Sequence, residues 1–149
     1  MNFKNYIFAK KLEMKTHTFL FFLILISMLS SCTSKQEKID KFQKAGIMDL
    51  RNSDNKAAIV DFTNIIKLDT NNYEAFYYRG NAEFNLRQGK EAILDYNKAI
   101  ELKPDYADAY YNRAFCKQFL NDKDGACNDW QKSIALGRHN VSDLLNICK

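Results

Sequence analysis

Proline occurs once in the 149 residues, at Pro104, and glycine only five times. With so few breakers, the chain is free to run as helices almost throughout. Histidine is almost missing: His17 lies in a leader segment and His139 in a turn. No serine or cysteine has a base at motif spacing, and no glycine-rich phosphate loop is present. Nor do paired carboxylates recur in a pattern that would raise their pKa, so no catalytic residue and no enzyme activity is expected. The four cysteines never fall at CxxC spacing, which argues against a metal site. No apolar run approaches the about 20 residues of a membrane span; the run at 19–29 is far shorter and contains Ser27. An excess of one charge is also missing once the leader is set aside. The chain has 22 Lys+Arg and 18 Asp+Glu, for a net of +4. The leader holds four of the lysines and one glutamate, Glu13, which leaves 18 against 17 and a net of +1. The basic balance therefore belongs to the leader and does not indicate a nucleic-acid partner.

That leader has the layout of a secretory signal peptide. Lys4, Lys10, Lys11 and Lys15 form a basic start, the apolar run follows, and Ser30 and Ser31 lead to Cys32. Met14-Lys15 followed by the apolar run is a complete leader by itself, so Met14 is an alternative start. The sequence Leu29-Ser30-Ser31-Cys32 resembles the lipobox of bacterial lipoproteins. That resemblance implies cleavage after residues 1–31 and acylation of Cys32 on its thiol and new amino group. Each buried lipid CH₂ contributes about 0.8 kcal/mol, so two or three chains on one cysteine would hold the protein on a membrane. Thr33 and Ser34 stand where an aspartate marks inner-membrane retention, which points to the outer membrane of a bacterial cell envelope. Residues 32–38 then form a short lipid-anchored tether.

The rest of the chain repeats at 34 residues. Phe42, Phe76 and Tyr110 share one column, as do Gly46, Gly80 and Ala114; Ala58, Ala92 and Ala126; Asp61, Asp95 and Asp129; and Phe62, Tyr96 and Trp130. Within a copy, Phe76, Gly80 and Phe84 recur at four-residue spacing, and Ala92, Tyr96, Ala99 and Leu102 at helical spacing. Each copy thus reads as two amphipathic helices with a turn between them: Asn52-Ser53-Asp54-Asn55, Arg87-Gln88-Gly89 and Asn121-Asp122. Asp69-Thr70-Asn71-Asn72 and Lys103-Pro104-Asp105 stop one copy and cap the next. Three units in register mean stacked supersecondary structure. The recurring pairs Arg79 with Asp95 and Arg113 with Asp129 are expected as structural ion pairs in the stacking interface.

The pattern Phe76-Tyr77-x-Arg79-Gly80-x-Ala82, then Ala92-Ile93-x-Asp95-Tyr96-x-Lys98-Ala99-Ile100-x-Leu102-x-Pro104, resembles the tetratricopeptide repeat. The first copy lacks the arginine (Ala45) and the proline (Thr70), and the third has Arg138 in the proline column. The resemblance implies an all-α fold, a right-handed superhelical solenoid of three repeats at 39–72, 73–106 and 107–140. A C-terminal capping helix at 141–149 would cover the last copy, with Asn140 as its N-cap. Ligands of this family lie against the first helix of each pair, which implies a groove lined by Tyr77, Asn81, Phe84, Asn85, Tyr111, Phe115 and Gln118. Aromatic and amide side chains on one surface suit a peptide, through contact area and main-chain hydrogen bonds. Some members clamp a C-terminal carboxylate with lysines, asparagines and an arginine. The matching columns here carry Gln43, Ile47, Tyr78, Asp108 and Asn112, so that activity is not implied.

An exported chain meets an oxidising compartment. Cys127 begins the last helix of copy three and Cys148 ends the cap, so a Cys127–Cys148 disulfide is expected to staple the two. Cys116, in the column of Met48 and Ala82, reads as a small buried hydrophobe. The leading functional expectation is a non-catalytic, membrane-anchored module that binds an envelope protein or peptide and needs no cofactor. The alternative is a structural subunit that self-associates through its degenerate first copy or docks by it in an envelope complex, and a thiol-redox role of Cys116 with Cys127 is a third.

Overall fold

The computed structural model describes residues 33–138 and 148. The chain divides into two units, Met1–Lys38 and Ile39–Lys149. In the first unit the described residues, 33–38, are helical; Cys32 and the leader lie outside the described residues. The second unit begins with α1 (39–51). It continues with α2 (Asn55–Leu68), α3 (Tyr73–Asn85), α4 (Gly89–Leu102), α5 (Ala107–Phe119) and α6 (Lys123–Ala135). The described residues form no strand, and each helix packs on its neighbours in chain order. The result is an all-α helical repeat solenoid. Of the expected cap, the N-cap Asn140 and residues 141–147 and 149 lie outside the described residues.

Each hairpin turns on the same backbone device. Ser53, Arg87 and Asn121 adopt φ of 63°, 66° and 69°, one 34-residue step apart. Around each, two hydrogen bonds close the end of the first helix. The Arg87 N–H donates to Phe84 C=O at 2.9 Å and the Gln88 N–H to Glu83 C=O at 2.9 Å. The same pair recurs at 53–54 and at 121–122. This left-handed closure satisfies carbonyls that the helix end would otherwise leave open. In the first and third hairpins the second helix then starts on a side-chain cap: Asp54 accepts from the Ala57 N–H at 3.1 Å, and Asp122 from the Gly125 N–H at 2.9 Å; α4, after Gln88, has none.

Capping between copies is less uniform than the sequence implies. Asn72 caps α3, accepting from the Ala75 N–H at 2.9 Å. One period later α5 starts at Tyr106 with no side-chain cap, so Lys103-Pro104-Asp105 stops α4 without capping α5. The Tyr106 ring packs instead against Tyr73 and Tyr77, with centroids at 5.2 and 4.9 Å. Here aromatic packing between copies has taken the place of the cap.

The small and large columns meet as complements. A Cβ on Gly80 would stand 3.0 Å from the Tyr96 ring, and one on Gly46 would stand 2.9 Å from Phe62. Phe62, Tyr96 and Trp130 are essentially fully buried as a result. Against these, the arginines tie three successive helices together. Arg79 (α3) donates from Nε and Nη2 to both oxygens of Asp95 (α4), at 2.6 and 2.7 Å, and from Nη1 to Thr63 (α2) at 3.2 Å. Arg113 (α5) repeats this with Asp129 (α6) at 2.7 and 2.6 Å and Asn97 (α4) at 2.6 Å. A planar fork matched to a carboxylate is the strong form of such a contact. These are the ion pairs expected from the repeat.

Candidate functional site

The front helices α1, α3 and α5 leave an open groove of about 370 Å³. Leu50 of α1, Asn81, Phe84 and Asn85 of α3, and Asn112 and Phe115 of α5 line it, with Tyr96 reaching it from α4. None of these side chains is charged. Helical spacing explains the α3 set, since residues three and four apart share a face.

A hydrogen-bond network holds the groove's polar groups. The Asn81 Oδ1 accepts from the Tyr96 hydroxyl and from the Asn112 Nδ2, both at 2.7 Å. Asn112 Nδ2 also donates to the Tyr77 hydroxyl at 3.2 Å. Burial pushes the Tyr96 phenol up, so it remains a neutral donor at all ordinary pH. Toward the groove's end, Asn55 Nδ2 donates to Ser53 C=O at 3.2 Å, and its Oδ1 accepts from Asn85 Nδ2 at 2.9 Å.

Of the seven residues expected in the groove, Asn81, Phe84, Asn85 and Phe115 line it together. Tyr77 touches it through its hydroxyl, while its ring is packed among Tyr78, Tyr96 and Tyr106. Tyr111 is occupied elsewhere: its ring meets Phe115 at 4.9 Å and carries the Arg138 guanidinium 3.7 Å from its centroid. Arg138 also pairs with Asp108. Gln118 is half-buried and lies outside the lining. Three contributors, Leu50, Tyr96 and Asn112, were not among the seven expected binding residues. Tyr96 reads as core from sequence, because its ring is fully buried and only its hydroxyl reaches the groove.

Behind the groove lies a carboxyl that the repeat does not advertise. Glu83 is half-buried beside Asp95, its Oε2 is buried without a hydrogen-bond partner, and burial with the Asp95 charge raises its pKa to about 7. The column it belongs to reads Asp49, Glu83, Lys117, and it faces Asp61, Asp95 and Asp129. Only the third copy has the sign that suits an aspartate: Lys117 Nζ meets Asp129 Oδ2 at 2.8 Å. In the first copy Asp49 raises the pKa of Asp61, after burial. The unfolded glutamate titrates near 4.5 and the folded one near 7, so folding favours the protonated form. Stability is therefore greatest below the unfolded value and is lost as pH rises through the folded one. Glu83→Gln should stabilise the domain by about 1–2 kcal/mol at about pH 8, after discounting for partial exposure, and should be near neutral at about pH 4. Urea melts of both proteins at the two pH values check this, and a pH-independent difference would count against it.

Cys127 and Cys148 are joined as a disulfide, with Cα atoms 5.7 Å apart. Cys116 is free and fully buried, and burial pushes its thiol up to about 12. With Cys127 bonded elsewhere and the Cys116 thiolate scarce at neutral pH, the redox pairing of these two is not formed. Among the described residues no group of His, Cys, Asp and Glu is placed to hold a metal ion, and no helix is long and apolar enough to cross a membrane.

Residues 88–117, from the start of α4 to near the end of α5, match the family model described as TPR repeat. Solved structures agree over more of the chain. The second TPR domain of the human RPAP3 protein, in complex with the HSP70 peptide SGPTIEEVD, is similar at a TM-score of 0.72 and 24% identity, over 77% of this chain and 98% of that one. The chain folds as a TPR domain does. The TPR2B domain of yeast Sti1, in a pHsp70 complex, is similar at a TM-score of 0.67 and 24% identity, covering 75% of this chain and 91% of that one. MamA is similar at a TM-score of 0.69 and 27% identity, over 73% of this chain, which spans 64% of the MamA chain. No curated protein sequence matches.

Proposed function

We propose that this chain is a TPR interaction module, without chemistry of its own, that takes a protein or peptide partner in the groove of α1, α3 and α5. The observation that carries this is the groove's lining: aromatic faces at Phe84 and Phe115, flanked by asparagine amides whose hydrogen-bonding capacity is not used up among the described residues. The human RPAP3 domain and the first TPR of Spaghetti (RPAP3), which share the fold, are in complex with an HSP70 and an HSP90 peptide, which supports a peptide as the ligand class. The Leu29-Ser30-Ser31-Cys32 motif supports a lipid anchor at Cys32, and with it a partner in a bacterial envelope, at the outer membrane. Partner capture from envelope extracts tests the reading. Phe84→Ala combined with Asn85→Ala is expected to abolish recovery while helicity by circular dichroism stays unchanged; undiminished recovery would reject the groove. Cys32→Ser is expected to move the protein from the membrane fraction to the soluble one.

One observation favours self-association as a second reading. Ala82 and Cys116 are fully buried in their column, whereas Met48, their counterpart in the first copy, is 57% exposed. The face that α3 and α5 bury against a preceding copy is thus open on α1 and available to a second chain. Sedimentation of the Cys32→Ser variant decides it: a monomer at every concentration excludes this reading.

A further inference from the structure

Hydrogen bonds inside the chain fix which way the two groove asparagines of α3 present their amides. Asn81 spends its oxygen twice, on Tyr96 and on Asn112, and its Nδ2 has no acceptor among the described residues. Asn85 is arranged in the opposite sense: its Nδ2 gives one of its two N–H bonds to Asn55, and its Oδ1 has no donor among the described residues. One helical turn apart, the groove therefore offers a donor and then an acceptor. A peptide main chain carries that complement, a C=O and an N–H. Around this pair stand the Phe84 and Phe115 rings, and no lining side chain is charged. A carboxylate here would meet only neutral amides and phenols, with no cation to repay its lost hydration.

We propose that the groove takes an uncharged, internal stretch of extended peptide, held by its main chain at Asn81 and Asn85 and by one apolar side chain against Phe84 and Phe115. The ligand class thus differs from an acidic peptide end such as SRMEEVD, to which the first TPR of Spaghetti is bound. This inference rests on the interaction reading above and narrows it.

The test is a binding series on the full chain in detergent, read by fluorescence anisotropy. The probes are neutral peptides of Ser, Thr, Gln and Gly with amidated ends, carrying a central Phe or Leu, a central Asp, or a central Lys. SRMEEVD with its free carboxylate completes the set. The Phe or Leu probes are expected to bind at least tenfold more tightly than the others. N-methylation at the central residue is expected to weaken them about tenfold. Asn81→Asp keeps the oxygen that Tyr96 and Asn112 need and puts a second, charged oxygen where the unspent donor stood. It is expected to weaken the Phe probe about tenfold when binding is read well below the variant's own melting temperature, and undiminished binding would overturn the donor role of Asn81. Preferential binding of the charged probes, lost in the Phe84→Ala and Asn85→Ala variant, would overturn this inference and leave the interaction module standing. Binding of no probe, together with partner capture that survives that variant, would overturn both.

Discussion

Arg79→Ala is expected to destabilise the domain by about 3 kcal/mol, the lower end of the range for breaking a buried pair. The loss is not the worth of two hydrogen bonds. Asp95 has a side chain only 8% exposed, and neither of its oxygens would be paired to a guanidinium. Glu83 lies beside it and adds repulsion as it ionises. The lower end of the range applies because the Arg79 side chain is 21% exposed, so water can reach part of the gap. The first copy is a natural version of this variant, with Ala45 opposite Asp61. It persists because Asp61 is only half-buried and is open to solvent beside α1. Asp95→Asn in the Arg79→Ala background should therefore recover more than half of the loss, since the stranded charge is the main cost. Urea denaturation of the three proteins at neutral pH measures both numbers. A single-variant loss below about 1 kcal/mol would show that the pair is solvated and dispensable.

Removing the disulfide is the second large change. Cys127 and Cys148 are 21 residues apart, and a closed loop of that size lowers the entropy of the unfolded chain by about 3 kcal/mol. The Cys127→Ser, Cys148→Ser double variant is expected to melt on the order of 10 °C lower than the oxidised parent. In a solenoid each unit depends mainly on its neighbours, so the loss should be local. Hydrogen exchange is expected to quicken in α5 and α6 and to change little in α2 and α3. A uniform change along the chain, or an unchanged melting point in oxidised protein, would contradict the staple.

The contrast between copies explains how much was legible beforehand. The 34-residue period, the hairpin turns and the burial of Phe62, Tyr96 and Trp130 follow from side chains recurring on one helix face. Local spacing alone decides that pattern. The ion pairs at Asp95 and Asp129 were readable for the same reason, because an identical contact repeats with an identical offset. Glu83 was not, since its column changes from Asp49 to Lys117 and no period marks it. Tyr77 and Tyr111 were candidates for an open surface, yet neighbouring rings and Arg138 occupy them.

By itself, then, the order of residues determined the unit, its period and the columns that must be buried, because these depend on contacts within a hairpin and its repeat. Stacking of the copies decided the rest: which amide atoms Asn81 and Asn85 leave unspent, that the Tyr96 hydroxyl reaches the groove, and that Glu83 lies against Asp95. Those features arise where three helices meet. The direction of a side chain there is set by partners twelve to thirty-one residues away, beyond what any local pattern encodes.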